Sequence, residues 1–329
     1  MTPKRPPTLS PLLFVNQGPL APGKAWGMSN EQAKSLKPCT GSAPLPPSPS
    51  SVHPEYVLDG HWIPACKTDG TDPLFEYLEN TLPKPPLESI VQVQLDPSET
   101  PITSIPRVQP IMIQPTVLDF ASASIPSIDT SKSAPVDIIV PLCRPMSERE
   151  WDVLDDVVSR LNGRSEEAPA GEIQDGLSPP KTVKVVLSGL MPPPLTLPSA
   201  QLVNSPEFQL HASRLANLSL HANVYLKLLP PVVEVGSSLI EDRKEVADVV
   251  TLYLSHAIET FGTHRLLFGS DHCLPLDVLR ARAQYSNEIT SPVKQGEWYA
   301  ILRKCIAELG EDKFAMSAIM GSTASGLYE

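Results

Sequence analysis

The clearest periodicity in the chain runs over residues 242–261. Val246, Val249, Val250, Tyr253, Leu254, Ala257, Ile258 and Phe261 recur there at helical spacing until Gly262. That spacing gathers the apolar positions on one face and predicts an amphipathic helix stopped by a C-terminal glycine. Next comes the apolar run of residues 266–268, which ends abruptly in Gly269-Ser270-Asp271 and turns at Pro275. An uninterrupted apolar run of this length reads as a strand buried on both faces. The same alternation recurs upstream, with strands at 183–190 and 224–229 and a helix over 206–220 between them. Residues 136–142, 90–95 and 110–117 read as further strands, and 56–61 as a short one.

Helix starts are marked by their chemistry. Asp72-Pro73 opens a brief helix through Tyr77 and Leu78, with Asp as N-cap and Pro in the first turn. Ser147 and Glu150 have capping-box spacing, and Trp151, Leu154, Val157, Val158 and Leu161 then share a helix face that Asn162-Gly163 ends. Trp298, Ile301, Leu302, Cys305, Ile306 and Leu309 make a last amphipathic helix, closed by Gly310. Strands alternating with helices predict an α/β fold with a mostly parallel sheet, either a barrel or a doubly wound sheet. About seven strands can be counted, and a full barrel needs about eight. Either one is hidden within 100–133 or the barrel is incomplete.

Composition narrows the picture. The 329 residues hold one barrel domain, expected over 51–329. Residues 1–50 carry eleven of the 38 prolines and no sustained pattern, so they are expected to be largely disordered. The polar stretch 163–180 reads as a mobile loop. A net charge of −11 argues against a nucleic-acid partner, and no apolar run is long enough to span a membrane. The five cysteines are scattered and lack C-x-x-C spacing, which excludes a disulfide frame and fits a reducing compartment. Met1 to Arg5 is basic but its prolines deny an amphipathic transit helix, and no secretory segment is seen, so a cytoplasmic location is expected.

Candidate chemistry sits at strand ends. Asp271 reads as a general base or metal ligand, or else as a turn-forming Asp. Lys227, inside an apolar strand, reaches a pocket or snorkels to solvent. Arg144, just past the strand at 136–142, is an anion clamp or the partner of a nearby acid. Cys273 reads as a pocket-wall residue and Arg265, ahead of its strand, as a structural one. His256 and His264 flank a helix end, where the dipole favours them. His211 and His221 are expected to face solvent.

Four segments in order resemble the amidohydrolase-related family of TIM-barrel enzymes over roughly residues 180–329. Phe261-Gly262, Arg265, the Phe268-to-Asp271 stretch, and Ala324 with Tyr328 match its C-terminal pattern. Asn223-Val224-Tyr225-Leu226-Lys227-Leu228 is similar to its penultimate strand, and 183–190 followed by Met191-Pro192 to the strand before. The resemblance implies a TIM-like (β/α) barrel and, in most relatives, one divalent metal held by histidines and the Gly-Ser-Asp carboxylate. Here Asp59-Gly60-His61 stands where the family has Asp-x-His-x-His, with Ile63 in the last place, and Ser188-Gly189 stands at its Asp-His. The implied ligand set is thereby reduced to Asp271 and His61, with His272 a further donor, and no bound metal such as zinc is expected.

What the resemblance implies is a hydrolase of a small cyclic ester (lactone) or amide with little or no metal dependence. Asp271 would activate water, and Lys227 or Arg144 would orient a substrate carboxylate. His61 and His272 would line the site. The alternative is a non-catalytic barrel serving as a binding or interaction protein.

Overall fold

Every strand pairing predicted between 183 and 270 is parallel. The computed structural model describes residues 51–64, 73–80, 86–96, 108–120, 134–162, 183–282, 289–294 and 296–329. The stretches 1–50 and 163–180 lie outside them. In chain order the elements are β1 (Val57–Trp62), α1 (Pro73–Asn80), β2 (Leu87–Val93), β3 (Gln109–Ile113), β4 (Thr116–Val117) and β5 (Val136–Ile139). Then follow α2 (Glu148–Leu161), β6 (Val185–Met191), α3 (Ser199–Leu202), α4 (Pro206–Ser219), β7 (Val224–Leu228) and β8 (Val233–Glu234). The chain closes with α5 (Arg243–Phe261), β9 (Leu266–Phe268), α6 (Leu276–Arg282), β10 (Ile289–Thr290), α7 (Trp298–Glu308), α8 (Lys313–Ser317) and α9 (Thr323–Tyr328).

Two parallel sheets share the architecture, in the orders β1-β2-β3 and β4-β5-β6-β7-β9. Only Gln114-Pro115 separates β3 from β4. Proline has no N–H for a ladder, so one predicted strand is split in two and feeds both sheets. At the other side, the tip of β9 bonds to β1 through the Asp271 N–H and the His61 carbonyl, 3.2 Å apart. Counting β3 and β4 as one, the described residues form a barrel-like α/β arrangement of seven parallel strand positions. That split strand is the expected run 110–117, already one of the seven, and no eighth parallel position occurs among the described residues. The order β6-β7-β9 is the expected one, with Leu187 opposite Leu226 and Leu226 opposite Leu266.

Alternate strand residues face opposite layers. Leu226 and Leu228 of β7, with Val185 and Leu187 of β6, pack outward among Trp151, Leu154, Val249 and Tyr253 of the helices. Leu58, Val91, Val186 and Leu267 pack instead with Ala324 and Leu327 of α9. The final helix is thus packed against the strands' other face. The segment leading into it makes room there: a Cβ at Gly321, two residues before α9, would come 2.7 Å from the Tyr56 ring. The helix starts behave as their sequences predict. Asp242 Oδ1 accepts from the N–H groups of Lys244 and Glu245, and the Glu150 carboxylate accepts from the Ser147 N–H at 2.8 Å. Gly262 ends α5 with a φ of 69°.

Candidate active site at the ends of the first and last strands

Glycine lets β1 and β9 approach one another. A Cβ at Gly60 would stand 2.7 Å from the Phe268 carbonyl oxygen, and one at Gly269 would stand 2.6 Å from the His61 Cβ. With the backbones this close, bonds form beyond the strand ends. The Ile63 N–H donates to Asp271 Oδ2 at 2.9 Å. Asp271, 6% exposed, is so fastened to the end of β1. It borders a cavity of about 390 Å³ together with Ser270, His272, Pro230, Ser291 and Lys294. His272 Nδ1 lies 2.9 Å from the Pro230 carbonyl oxygen, which orients the ring at the cavity wall. Lys294 is exposed and brings a positive charge to the same cavity's lining. The arrangement offers a fixed carboxylate, an imidazole and a cation around a space large enough for a small molecule.

A second polar group lies within the sheet. Lys227 is 0% exposed, and its Nζ pairs with Asp137 Oδ1 at 2.5 Å. The Tyr328 hydroxyl of α9 donates to Asp137 Oδ2 at 2.6 Å, and Lys227 also lies 5.4 Å from the centre of the Tyr328 ring. Burial lowers the Lys227 pKa, and the charges of Asp137 and Asp59 oppose that shift. Burial, reinforced by Asp137, raises the Tyr328 hydroxyl well above its ordinary range. His61 is fully buried beside this group. Burial and then the Lys227 charge hold its pKa well below the ordinary value, against the pull of the Cys273 and His272 backbone. Neither of its ring nitrogens makes a direct hydrogen bond within the protein. His61 is therefore a neutral imidazole beneath the mouth.

Of the predicted residues, Asp271 and His272 meet at the cavity, while Lys227 is not on its wall. Arg144 is also off that wall. It is 51% exposed and holds Glu150 through two bonds of 3.0 and 2.9 Å, so it pairs with the acid of the adjacent helix start. Cys273 is buried behind that wall, and burial pushes its thiol up to about 12, which does not suit a nucleophile. Arg265 donates to the carbonyls of Thr260, Phe261, Ser219 and His221, and so ties two helix ends together. His211 corrects an expectation. It does not face solvent: it is 7% exposed, edge-on to Trp151 and Tyr253, with Nε2 3.1 Å from the Leu190 carbonyl oxygen. With Leu215 and Leu218 it forms the inner face of α4, a spacing visible in the sequence. Asp137 and Lys294 had not been singled out. A lone acid inside the apolar strand Val-Asp-Ile-Ile was the available signal for Asp137.

The metal that the resemblance implies can be tested against these donors. Ile63 fills the second histidine's place with an apolar side chain, buried among Val93, Ile139 and Leu274. Gly189 stands at the third and has no side chain to bind a metal, with the neutral hydroxyl of Ser188 at the neighbouring aspartate's place. Among the described residues no three His, Cys, Asp or Glu side chains are grouped to hold an ion. The residues present do not fit a tightly held divalent metal.

No protein-family model matches the chain, and no curated protein does. Solved structures give a likeness to an amidohydrolase from Burkholderia multivorans in two crystal forms. The form with bound zinc is 13% identical, covers 83% of this chain and 99% of that one, and has a TM-score of 0.46. The form with bound HEPES is 17% identical over 59% of this chain and 53% of that one, with a TM-score of 0.37. A probable 2-pyrone-4,6-dicarboxylic acid hydrolase from Acinetobacter baumannii, with citric acid bound, is 12% identical over 83% and 98%, with a TM-score of 0.40. The likeness is to amidohydrolases. At these identities and TM-scores it carries no argument about chemistry, which rests on the side chains themselves.

Proposed function

We propose that this chain is a hydrolase of a small ester or amide, a lactone or cyclic amide among them, with Asp271 activating water. The observation that carries the reading is a carboxylate fastened by the Ile63 N–H while bordering a cavity of about 390 Å³. Its chemistry follows from acid–base principles. Asp271 takes a proton as the water oxygen attacks the carbonyl carbon, and it returns that proton to the leaving oxygen or nitrogen when the C–O or C–N bond breaks. Lys294 and His272 face the same space and suit a substrate that carries a carboxylate. Lys227, held by Asp137, is not given the substrate-binding role. The donor set supports no metal step.

One observation favours the non-catalytic alternative: the interior charges Lys227 and Asp137 face each other instead of the cavity. A panel of lactones, linear esters and cyclic amides separates the readings, run on the wild type and Asp271→Asn. Turnover that the Asn variant loses supports the hydrolase. A wild type silent on every substrate that still binds small carboxylates in the cavity overturns it in favour of a binding protein. Among the described residues Cys143, Cys273 and Cys305 are not joined in disulfides, which supports a reducing, cytoplasmic setting. No described helix is long and apolar enough to cross a membrane.

A further inference from the structure

We infer that Asp59 is the positioning residue for Asp271, acting through Ser270. Asp59 is fully buried on β1. Its Oδ1 accepts from the Ser270 N–H at 2.9 Å and from the His61 N–H at 3.0 Å. Its Oδ2 accepts from the Ser270 hydroxyl. An ionised carboxylate is acceptor-only, and three donors converge here on one group in a water-free setting, where such bonds are strong.

The location of those bonds gives them their effect. The ladder between β7 and β9 ends with Leu228 opposite Phe268, the Gly269 N–H adds one bond to the Leu228 carbonyl at 3.2 Å, and Ser270 and Asp271 lie beyond it. Asp59 takes hold of Ser270 by both its backbone and its side chain. Asp271 is the next residue, and its own N–H and Oδ2 bond to His61 and Ile63 of the same β1 segment. Ser270 and Asp271 are thereby registered on β1 from two sides, and the close approach that Gly60 and Gly269 permit brings the donors within reach. Its hold on Asp271 passes through Ser270, the residue next in the chain, which it bonds by both backbone and side chain. Asparagine at position 59 would keep one oxygen for the two N–H groups, reverse the bond to the Ser270 hydroxyl and remove the charge that strengthens all three bonds.

The catalytic consequence rests on the hydrolase reading, while the geometric one does not, and the test keeps them apart. Amide hydrogen exchange is measured on the full chain for the wild type, Asp59→Asn, Ser270→Ala and Ser270→Thr. The reporter is the Ile63 amide, which donates to Asp271. In Asp59→Asn and Ser270→Ala it should exchange about tenfold faster or more, while amides of α5 and β6 keep their protection. Ser270→Thr keeps the hydroxyl and should stay near the wild type. Unchanged Ile63 protection in both of the first two variants overturns the inference. Loss of protection throughout α5 and β6 in both would make Asp59 a general stabilising residue and overturns it as well. Where the wild type turns over a substrate, the same two variants should lower kcat roughly tenfold to a hundredfold with KM little changed, as for a misplaced catalytic group. A raised KM at unchanged kcat goes against the inference. A wild type without turnover defeats the hydrolase reading alone, and the exchange data then decide the placement of Asp271 by themselves.

Discussion

Lys227 and Asp271 are both ionisable, both less than a tenth exposed, and both carried by strand segments of the same ring. Lys227 faces a carboxylate 2.5 Å away, which itself takes a bond from Tyr328 of the last helix. Asp271 is held by a backbone N–H and has a cavity in front of it. A charge matched by an opposite charge in the interior is a structural element. Its removal leaves the partner stranded, and it offers little to a passing substrate. A carboxylate fixed by a neutral donor at a cavity wall is positioned without being neutralised by that donor. Burial alone therefore does not separate functional from structural charges; what each charge faces does.

The largest expected effect tests the mouth. Asp271→Asn keeps the size of the side chain and removes the base. On any substrate turned over, kcat should fall by roughly 10²–10⁴. Thermal and urea unfolding should change by only about 1 kcal/mol, since a carbonyl oxygen still accepts from Ile63. A variant with wild-type turnover would remove Asp271 from the chemistry and erase the distinction drawn between the two regions.

The interior should respond in the opposite way. Asp137→Ala strands the Lys227 ammonium in the core and should cost about 3–5 kcal/mol. The double variant Asp137→Ala with Lys227→Met should recover most of that loss, because an apolar side chain of similar length needs no partner. Urea unfolding of the two single variants and the double variant measures the coupling. A double variant no more stable than Asp137→Ala would mean that the pair is not the structural unit described here.

Much of the frame was legible because its signals are local. The strand β9 is a continuous apolar run, β6 and β7 are apolar but for Ser188-Gly189 and Lys227, and α5 repeats over 19 residues with a capping Asp and a stopping Gly. The split between β3 and β4 follows from Pro115, yet its consequence, one strand serving two sheets, depends on pairings that sequence spacing does not encode. The last helix has no apolar stripe in the sequence, since Thr323, Ser325 and Gly326 interrupt it; its packing against Leu58 and Leu267 decides its conformation. In the site, Asp271 and His272 could be found from the abrupt end of a strand. Asp59 and Ser270 are 211 residues apart, so their bond was invisible in the sequence even though each residue had been noticed. Lys227 was expected at a pocket because a lone lysine in a strand has two outcomes, and its partner, one lone acid in another strand, decided between them.

His211 extends the comparison to the helical layer, as a buried ionisable group facing a carbonyl. Burial lowers its pKa from 6.5 to about 4. Above pH 6.5 the imidazole is neutral whether the chain is folded or not. Between about 6.5 and 4 the unfolded chain takes up a proton that the folded one refuses, so stability falls through that window and levels off below it. The shift corresponds to roughly 3 kcal/mol at most. His211→Gln keeps a donor for the Leu190 carbonyl and lacks the titration. Its unfolding free energy should lose less than that of the wild type between pH 7.5 and 4.5. Parallel losses would show that His211 does not titrate as a buried neutral group.

The smallest effect is expected at Arg144, and it bears on where the mouth ends. Arg144 follows β5 at the same end of the ring as Asp271, yet its guanidinium forks onto Glu150, the residue whose carboxylate also accepts from the Ser147 N–H at the start of α2. An ion pair half open to water is worth little, because solvent screens it and holding two long side chains together costs entropy. Glu150 keeps its bonds to Ser147 without the arginine, and those bonds, not the pair, mark the helix start. Arg144→Gln should therefore lower stability by less than about 1 kcal/mol, a loss that shrinks further in high salt. On a carboxylate-bearing substrate its KM should match the wild type, whereas Lys294→Gln, on the cavity wall, should raise it. A raised KM in Arg144→Gln would mean that the guanidinium leaves Glu150 for the substrate, and the boundary between structural and functional charge would have to be moved outward to include β5.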